Sequence, residues 1–219
     1  RPTFTAESTS FQMNDAPNLT VTLTTIQENG SRILKSYHFT KGNYLVEVDY
    51  QITNSGSDSW KGALFAQIKR DGQSPVSSSD NLMGMQPYVG GATRSDEEFY
   101  RKLEFDDIEE EAYKLTLDEG YIAMVQHYFV SAWVPRDAIG NTYRGRKLAD
   151  QDVYLFGLTT PPLTIAPGET KSIGASFYAG PKDQYRLEEI ATGLELTVDY
   201  GFLWWLAQPL FFMLTGIHS

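Results

Sequence analysis

Apolar and polar residues alternate with a period of two over most of the chain, which is typical of strands that bury one face of a sheet. The clearest stretch spans residues 44–54. One of its faces carries Tyr44, Val46, Val48, Tyr50 and Ile52, and the opposite face carries Glu47, Asp49 and Gln51. The same pattern predicts strands at 19–27 and 32–40, joined by turns at Asn29-Gly30 and Gly42-Asn43, and a fourth strand from Trp60 to Arg70.

The middle of the chain continues the strand pattern between polar segments. Residues 71–81 are rich in turn formers and predict a loop. Tyr121 to Val134 is almost continuously apolar and ends at Pro135, which predicts a strand buried on both faces. A short strand between Tyr100 and Phe105 and strands near 141–147, 153–160 and 170–179 complete the predicted sheet. The acidic runs at 95–98 and 106–111 are interpreted as a solvated rim.

The periodicity changes after Gly180-Pro181. Pro181 lies near the predicted first turn of a helix whose apolar positions include Leu187 and Ile190. Gly193 is a plausible terminator, and a last short strand is predicted from Leu194 to Val198. These elements predict a mostly β fold, built from antiparallel strands, with one or two helices near its C-terminal end.

The C-terminal segment has a different composition. Asp199 is a good N-cap, and residues 202–217 contain no charged side chain. A helix of these 16 residues would be about 24 Å long, shorter than the roughly 30 Å hydrocarbon core, and Pro209 would kink it. Trp204 and Trp205 favour the headgroup level. The segment therefore predicts a helix lying at a bilayer surface, and a helix docked on the protein's own sheet is the alternative.

Composition and charge narrow the possible partners. Aromatic residues make up 13% of the chain, enough for a substantial core, while 28 acidic against 18 basic residues give a net charge of −10. Nucleic-acid binding requires basic patches, so this balance argues against it. The absence of cysteine excludes disulfides, thiolate catalysis and Cys-ligated metal sites.

Several sequence blocks together resemble one family. The block from Val198 to Phe211, with Asp199-Tyr200-Gly201 before the two tryptophans and Gln208-Pro209 after them, resembles the junction between the periplasmic domain and the second transmembrane helix of YidC insertases. The segments at 41–44, 120–129, 132–135 and 179–182 resemble parts of the same domain, in the same order.

This resemblance implies a twisted antiparallel β-sandwich, the supersandwich shared with galactose-mutarotase-like proteins. It implies a periplasmic β-sandwich domain over residues 1–198, with its N-terminal strands missing, and an interfacial helix over 199–219 leading to an absent membrane span. The expected membrane-interface residues are Phe202, Trp204, Trp205, Pro209, Leu210 and Phe211.

The function implied by the resemblance is assistance in the insertion and folding of inner-membrane proteins, at the periplasmic face of the bacterial inner membrane. The implied partners are nascent membrane proteins and the Sec translocon components SecD–SecF and SecYEG. The domain would act as a docking module without a cofactor. The alternative is a non-catalytic module that binds carbohydrate or peptide in a groove, with Tyr88, Tyr100, Tyr113 and Tyr143 as candidate aromatics near loops.

Enzymatic activity is not expected. A mutarotase-like enzyme needs a general acid and a general base at one cleft, and the chain has three histidines. His38 and His127 fall within predicted strands, where a hydrogen-bonded structural role is favoured, and His218 is near the chain end. No pair of histidines has metal-ligand spacing, and no pair of carboxylates is marked as catalytic by its spacing.

Overall fold

The computed structural model describes residues 2–73 and 88–198, and half of the chain lies in strands. The elements in chain order are β1 (Thr5–Ala6), β2 (Asn18–Ile26), β3 (Arg32–Thr40), β4 (Leu45–Thr53), β5 (Trp60–Gly62), β6 (Phe65–Asp71), β7 (Gly90–Thr93), β8 (Arg101–Leu103), α1 (Phe105–Glu110), β9 (Tyr113–Leu117), β10 (Ile122–Val125), β11 (Phe129–Pro135), β12 (Asn141–Lys147), β13 (Val153–Thr159), β14 (Leu163–Ile165), β15 (Thr170–Pro181), α2 (Gln184–Ile190) and a 3-10 helix (Leu194–Thr197).

Two antiparallel sheets form the body of the molecule. The large sheet has nine strands in the order β1-β2-β3-β4-β15-β11-β10-β7-β8, and the small sheet has four in the order β6-β13-β12-β9. A separate two-stranded ribbon pairs β14 with β5. β15 lies between β4 and β11 in the large sheet and pairs with both. It therefore joins the meander of β2, β3 and β4 to the strands β11, β10, β7 and β8.

The predicted meander of β2, β3 and β4 is confirmed, and its turns explain its register. Gly30 has φ +82° and Gly42 has φ +76°, a left-handed backbone that favours glycine. The alternation of β4 is also confirmed, since Val48 and Ile52 are buried on the inner face. The mostly β sandwich predicted for the chain is therefore the observed fold.

The two sheets enclose the main core. The inner face of the large sheet contributes Ile33, Ile52, Ile122, Met124, Ile173 and Ala175, and the small sheet contributes Ala66, Leu117, Tyr143, Tyr154, Phe156 and Leu158. Gly91 in β7 lets the ring of Phe156 in the small sheet pack directly on the backbone of the large sheet. A β-carbon at this position would collide with that ring.

A second core lies on the outer face of the large sheet, beneath α2 and the 3-10 helix. Its buried residues include Ala123, Ala132 and Tyr178 from the strands, together with Leu187 of α2 and Leu194 of the 3-10 helix. The strands β10 and β11 are therefore covered on both sides, as their apolar composition predicted.

Three strand predictions need correction. The stretch Trp60–Arg70 is two strands in different sheets, because the chain changes layer at Leu64, whose N–H donates to Thr160 Oγ1 at 3.0 Å. The stretch Tyr121–Val134 is a hairpin of β10 and β11, closed by a bond from Gln126 N to Phe129 O at 2.9 Å. His127 consequently lies in a turn and not in a strand, with its ring stacked on Tyr128.

The predicted strand at 194–198 is also wrong. Leu194–Thr197 forms a 3-10 helix, because Gly193 takes φ +90° and Thr197 Oγ1 donates to Leu194 O at 2.7 Å. The predicted helix is confirmed but begins at Gln184, after β15 extends through Gly180 and Pro181. Its N-cap is Asp183, whose side chain accepts from Arg186 N at 3.3 Å.

The acidic run at 106–111 overlaps α1. Its carboxylates are exposed, as predicted, while Ile108 is buried against Gly145 of β12. Glu109 binds Lys147 Nζ at 2.7 Å and accepts a hydrogen bond from the Tyr154 hydroxyl, which holds α1 against the small sheet.

Within residues 2–73 and 88–198, no helix is long and apolar enough to cross a bilayer.

Candidate functional site: a groove on the inner sheet face

An apolar depression lies where the large sheet extends beyond the small one. Strands β3 and β4 and the middle of β15 form its floor, and β6 forms one wall. Its volume is about 390 Å³, within the range of ligand pockets. The described lining residues are Lys35, Tyr37, Phe39, Val46, Val48, Tyr50, Leu64, Phe65, Ala66, Gln67, Trp133 and Phe177.

The strand register brings this floor together. Tyr37 pairs with Val48, Lys35 pairs with Tyr50, and Val46 pairs with Phe177, so all of these side chains share the inner face. The indole of Trp133 packs on Phe177 with ring centroids 4.6 Å apart. The floor of the groove therefore has the apolar and polar alternation of a core face. Among the described residues, no second layer covers it completely.

Lys35 is the single charged residue among the described lining residues. Its Nζ lies 4.9 Å from the ring centroid of Tyr37 and 5.2 Å from that of Tyr50. Burial lowers the pKa of Lys35, but interactions with the two tyrosine hydroxyls outweigh burial and leave the pKa above its ordinary value. The groove thus presents one persistent positive charge held between two aromatic rings.

Three further features of the groove bear on a ligand. Within the described residues β6 pairs only with β13 and is an edge strand of the small sheet. Trp133 Nε1 is buried and has no hydrogen-bond partner among the described atoms. Phe65 at the wall is 61% exposed, although it is large and apolar. These properties suit an extended, apolar polypeptide better than a sugar, which needs many polar partners.

The aromatics proposed from the sequence lie elsewhere. Tyr143 is fully buried in the main core, and burial raises its pKa. Tyr88 donates to Gly91 O at 2.5 Å and accepts from Leu103 N at 3.2 Å, while Tyr100 packs on the second core. Tyr113 is partly buried against the main core. All four belong to the packing of the domain, and none lines the groove.

The other predicted functional residues have mixed outcomes. His38 Nδ1 lies 2.9 Å from Thr20 Oγ1 and its Nε2 lies 3.3 Å from Asp49, which is the hydrogen-bonded structural role expected for it. The predicted membrane-interface residues Phe202, Trp204, Trp205, Pro209, Leu210 and Phe211 lie outside the described residues. Among residues 2–73 and 88–198, no three His, Asp or Glu side chains are grouped closely enough to hold a metal ion.

Structural neighbours identify the fold. A galactose mutarotase-like protein from Lactobacillus casei superposes with a TM-score of 0.55 and 12% identity, covering 80% of this chain and 72% of that protein. The GH36 α-galactosidase AgaA from Geobacillus stearothermophilus superposes with a TM-score of 0.54 and 8% identity, covering 87% of this chain and 30% of that enzyme. At these identities the similarity shows the sandwich fold alone.

Sequence relatives identify the family. The chain is 46% identical over 219 residues to the membrane protein insertase YidC of Cellvibrio japonicus, 44% identical over 223 residues to that of Alcanivorax borkumensis and 42% identical over 219 residues to that of Pseudomonas fluorescens. Each match covers 100% of this chain but only 38–39% of the relative. The family described as the YidC periplasmic domain matches residues 1–213. The chain therefore belongs to the YidC periplasmic domain family.

Proposed function

We propose that this domain is an interaction module of a membrane-protein insertase and assists the insertion and folding of inner-membrane proteins, alone or beside the Sec translocon. The observation that carries the proposal is the family match over residues 1–213, with relatives named as membrane protein insertases. The domain would lie at the periplasmic face of the inner membrane. Its partners would be nascent membrane proteins, SecD–SecF and SecYEG.

The C-terminal segment supports a position at the membrane. Residues 202–217 are uncharged and contain Trp204 and Trp205, which suits the headgroup layer. In this proposal the segment lies along the bilayer surface through Phe202, Trp204, Trp205, Pro209, Leu210 and Phe211, and ties the β-sandwich to the insertase.

The domain is proposed to act without catalysis. The relatives are named for insertion, and the described histidines serve packing and hydrogen bonding, as His38 illustrates. The similarity to a galactose mutarotase-like protein concerns the fold, and a fold hosts many functions. Epimerisation of simple aldoses by the purified chain, at a rate above that of buffer, would contradict this part of the proposal.

The groove favours a second role, the capture of an extended polypeptide. The edge of β6 offers backbone groups to an added strand, and the aromatic floor accepts alternate side chains. Peptide capture corresponds to the alternative function predicted from the sequence, a non-catalytic module that binds carbohydrate or peptide in a groove. It is compatible with docking to Sec subunits through other surfaces.

A photo-crosslinking scan in intact membranes tests both roles with the full-length protein. A photoreactive phenylalanine analogue would replace Phe39 on the groove floor, Phe65 on its wall, and exposed Ile26 as a control remote from the groove. Adducts between nascent membrane proteins and positions 39 and 65, but not 26, would support polypeptide capture. Adducts with Sec subunits from other surface positions would support docking, and the absence of adducts across the domain would contradict both roles.

A further inference from the structure

Lys35 is a cation without a counterion on the floor of the groove. Among the described residues no carboxylate lies within ion-pair distance of its ammonium group, although the chain as a whole carries a net charge of −10. The acids of the neighbouring strand β4, Glu47 and Asp49, lie on the outer face of the sheet, where Asp49 binds His38 and Arg136. They therefore do not neutralise the charge on the inner face.

The surroundings of Lys35 make a bound anion favourable. Lys35 is partly buried, as are Tyr37 and Tyr50, whose rings hold its ammonium group. A cation withdrawn from water gains when it is paired, because aromatic faces replace only part of its lost hydration. The two tyrosine hydroxyls interact with Lys35 and are further donors for an oxyanion. These three side chains together suit a carboxylate.

This cation lies at one end of the groove floor, and the large aromatic pair lies at the other. Lys35 pairs with Tyr50 in the strand register, whereas Val46, four residues away on β4, pairs with Phe177. Phe177 in turn packs on Trp133. The two rows are about 13 Å apart along the strands. An extended segment therefore reaches both when its acid and a large apolar residue are roughly four or five positions apart.

We propose that the groove selects extended polypeptide segments that carry an acidic side chain, which pairs with Lys35, and a large apolar side chain, which packs on Trp133 and Phe177. This inference rests on the proposed capture of a polypeptide and names the chemistry of the captured segment. The lysine would bind the carboxylate through a charge-assisted hydrogen bond. Because the net charge of the chain opposes an acidic ligand at long range, a preference for one would report a local cation.

Matched peptides test this selection with the full 219-residue chain. Short peptides that alternate valine and serine, acetylated and amidated to remove terminal charges, would carry one phenylalanine and, four positions away, aspartate, asparagine or lysine. Fluorescence anisotropy of a neutral dye on each peptide measures binding. The aspartate peptide should bind roughly tenfold more tightly than the asparagine peptide, and the lysine peptide should bind most weakly. Added salt should reduce the preference.

Substitutions at Lys35 assign the preference to this side chain. Lys35→Met should lower the affinity for the aspartate peptide to that for the asparagine peptide, and Lys35→Arg should retain the preference. Lys114→Met is the matched control, because Lys114 is exposed on β9, at the edge of the small sheet opposite β6. It removes the same charge away from the groove and should leave the preference intact. Circular dichroism checks that each variant folds like the parent chain.

The outcomes separate this inference from the proposal on which it rests. Equal affinity of the parent chain for the aspartate and asparagine peptides would overturn the selection and leave polypeptide capture standing. A preference that persisted in Lys35→Met would also overturn the selection, because another group would then hold the carboxylate. If no peptide bound, both the capture of a polypeptide by the groove and the selection would be wrong.

Discussion

The inner face of the large sheet has two halves that look alike in sequence and differ in structure. Around β10 and β7 it is sealed by the small sheet, with Ile122 and Phe156 fully buried. Around β3 and β4 it forms the groove, where Tyr37 and Tyr50 remain partly exposed. At about 4.8 Å between strands, nine strands span roughly 40 Å and four span roughly 15 Å, so the small sheet cannot cover the large one.

This difference separates residues that stabilise the domain from residues that can bind. In the covered half a side chain gains its full transfer free energy on folding, and removing it leaves a cavity. In the groove half the same side-chain types retain contact with solvent, so part of that free energy remains for a ligand. Substitutions of matched chemistry in the two halves should therefore have unequal effects on stability and on binding.

The largest expected effect is that of Phe156→Ala in the covered half. Phe156 is fully buried and contacts Phe105, with ring centroids 6.4 Å apart. Truncation should lower the free energy of unfolding by about 3–5 kcal/mol, because it removes apolar burial and leaves a cavity. Urea denaturation followed by circular dichroism measures the change, and a loss below about 1 kcal/mol would contradict the assignment of this face as a rigid core.

An intermediate effect is expected for the matched change Phe177→Ala in the groove half. Phe177 is only partly buried and packs on Trp133. Its removal should lower the free energy of unfolding by roughly 1–2 kcal/mol, yet it should reduce crosslinking of nascent chains to position 39. If stability fell as far as for Phe156→Ala, the distinction between the two halves would be lost.

The smallest effect is expected for Glu109→Gln, which loosens α1 at the rim of the covered half. The hydrogen bond from Lys147, aided by the Tyr154 hydroxyl, holds the pKa of Glu109 below its ordinary value. A carboxyl whose folded-state pKa is depressed stabilises the protein above its unfolded-state pKa, and this contribution is lost as pH falls through the folded-state value.

The variant should therefore be slightly less stable than the parent at neutral pH, and the difference should vanish on acidification below the ordinary range for glutamate. Thermal unfolding across that pH range checks the trend. Glu110→Gln, an exposed neighbour in the same helix, is the matched control, because it removes the same charge and leaves the contacts of Glu109 with Lys147 and Tyr154 in place. A stability difference between the parent and Glu109→Gln that grew towards low pH would contradict a stabilising interaction between Glu109 and Lys147.

Sequence reasoning succeeded where local patterns decide the structure. The alternation of 44–54 and the glycine turns at 30 and 42 predicted β2, β3 and β4 to within about a residue or two. It failed at Leu64, where the chain changes sheet, and at Gln126–Tyr128, where it reverses direction. Neither position carries an Asn-Gly or Pro-Gly turn signal, so the local pattern does not mark the break.

The groove was missed for a related reason. Tyr37, Phe39 and Tyr50 carry the same alternation that marks a core face, so the sequence offered no reason to separate them from Ile52. The only available signal was the number of aromatic residues on β3 and β4. The aromatics chosen instead, such as Tyr143, lay near predicted loops but are buried by long-range packing.

The sequence by itself determined the strand content, the family and the uncharged character of the C-terminal segment, because these follow from local periodicity, local composition and motif order. Only the tertiary structure decided which apolar face is covered and which aromatic side chains share a surface. Coverage depends on the relative widths of two sheets, and shared surfaces depend on pairing between residues as far apart as Tyr44 and Tyr178. Such long-range pairings are properties of the assembled chain and cannot be read from any one segment.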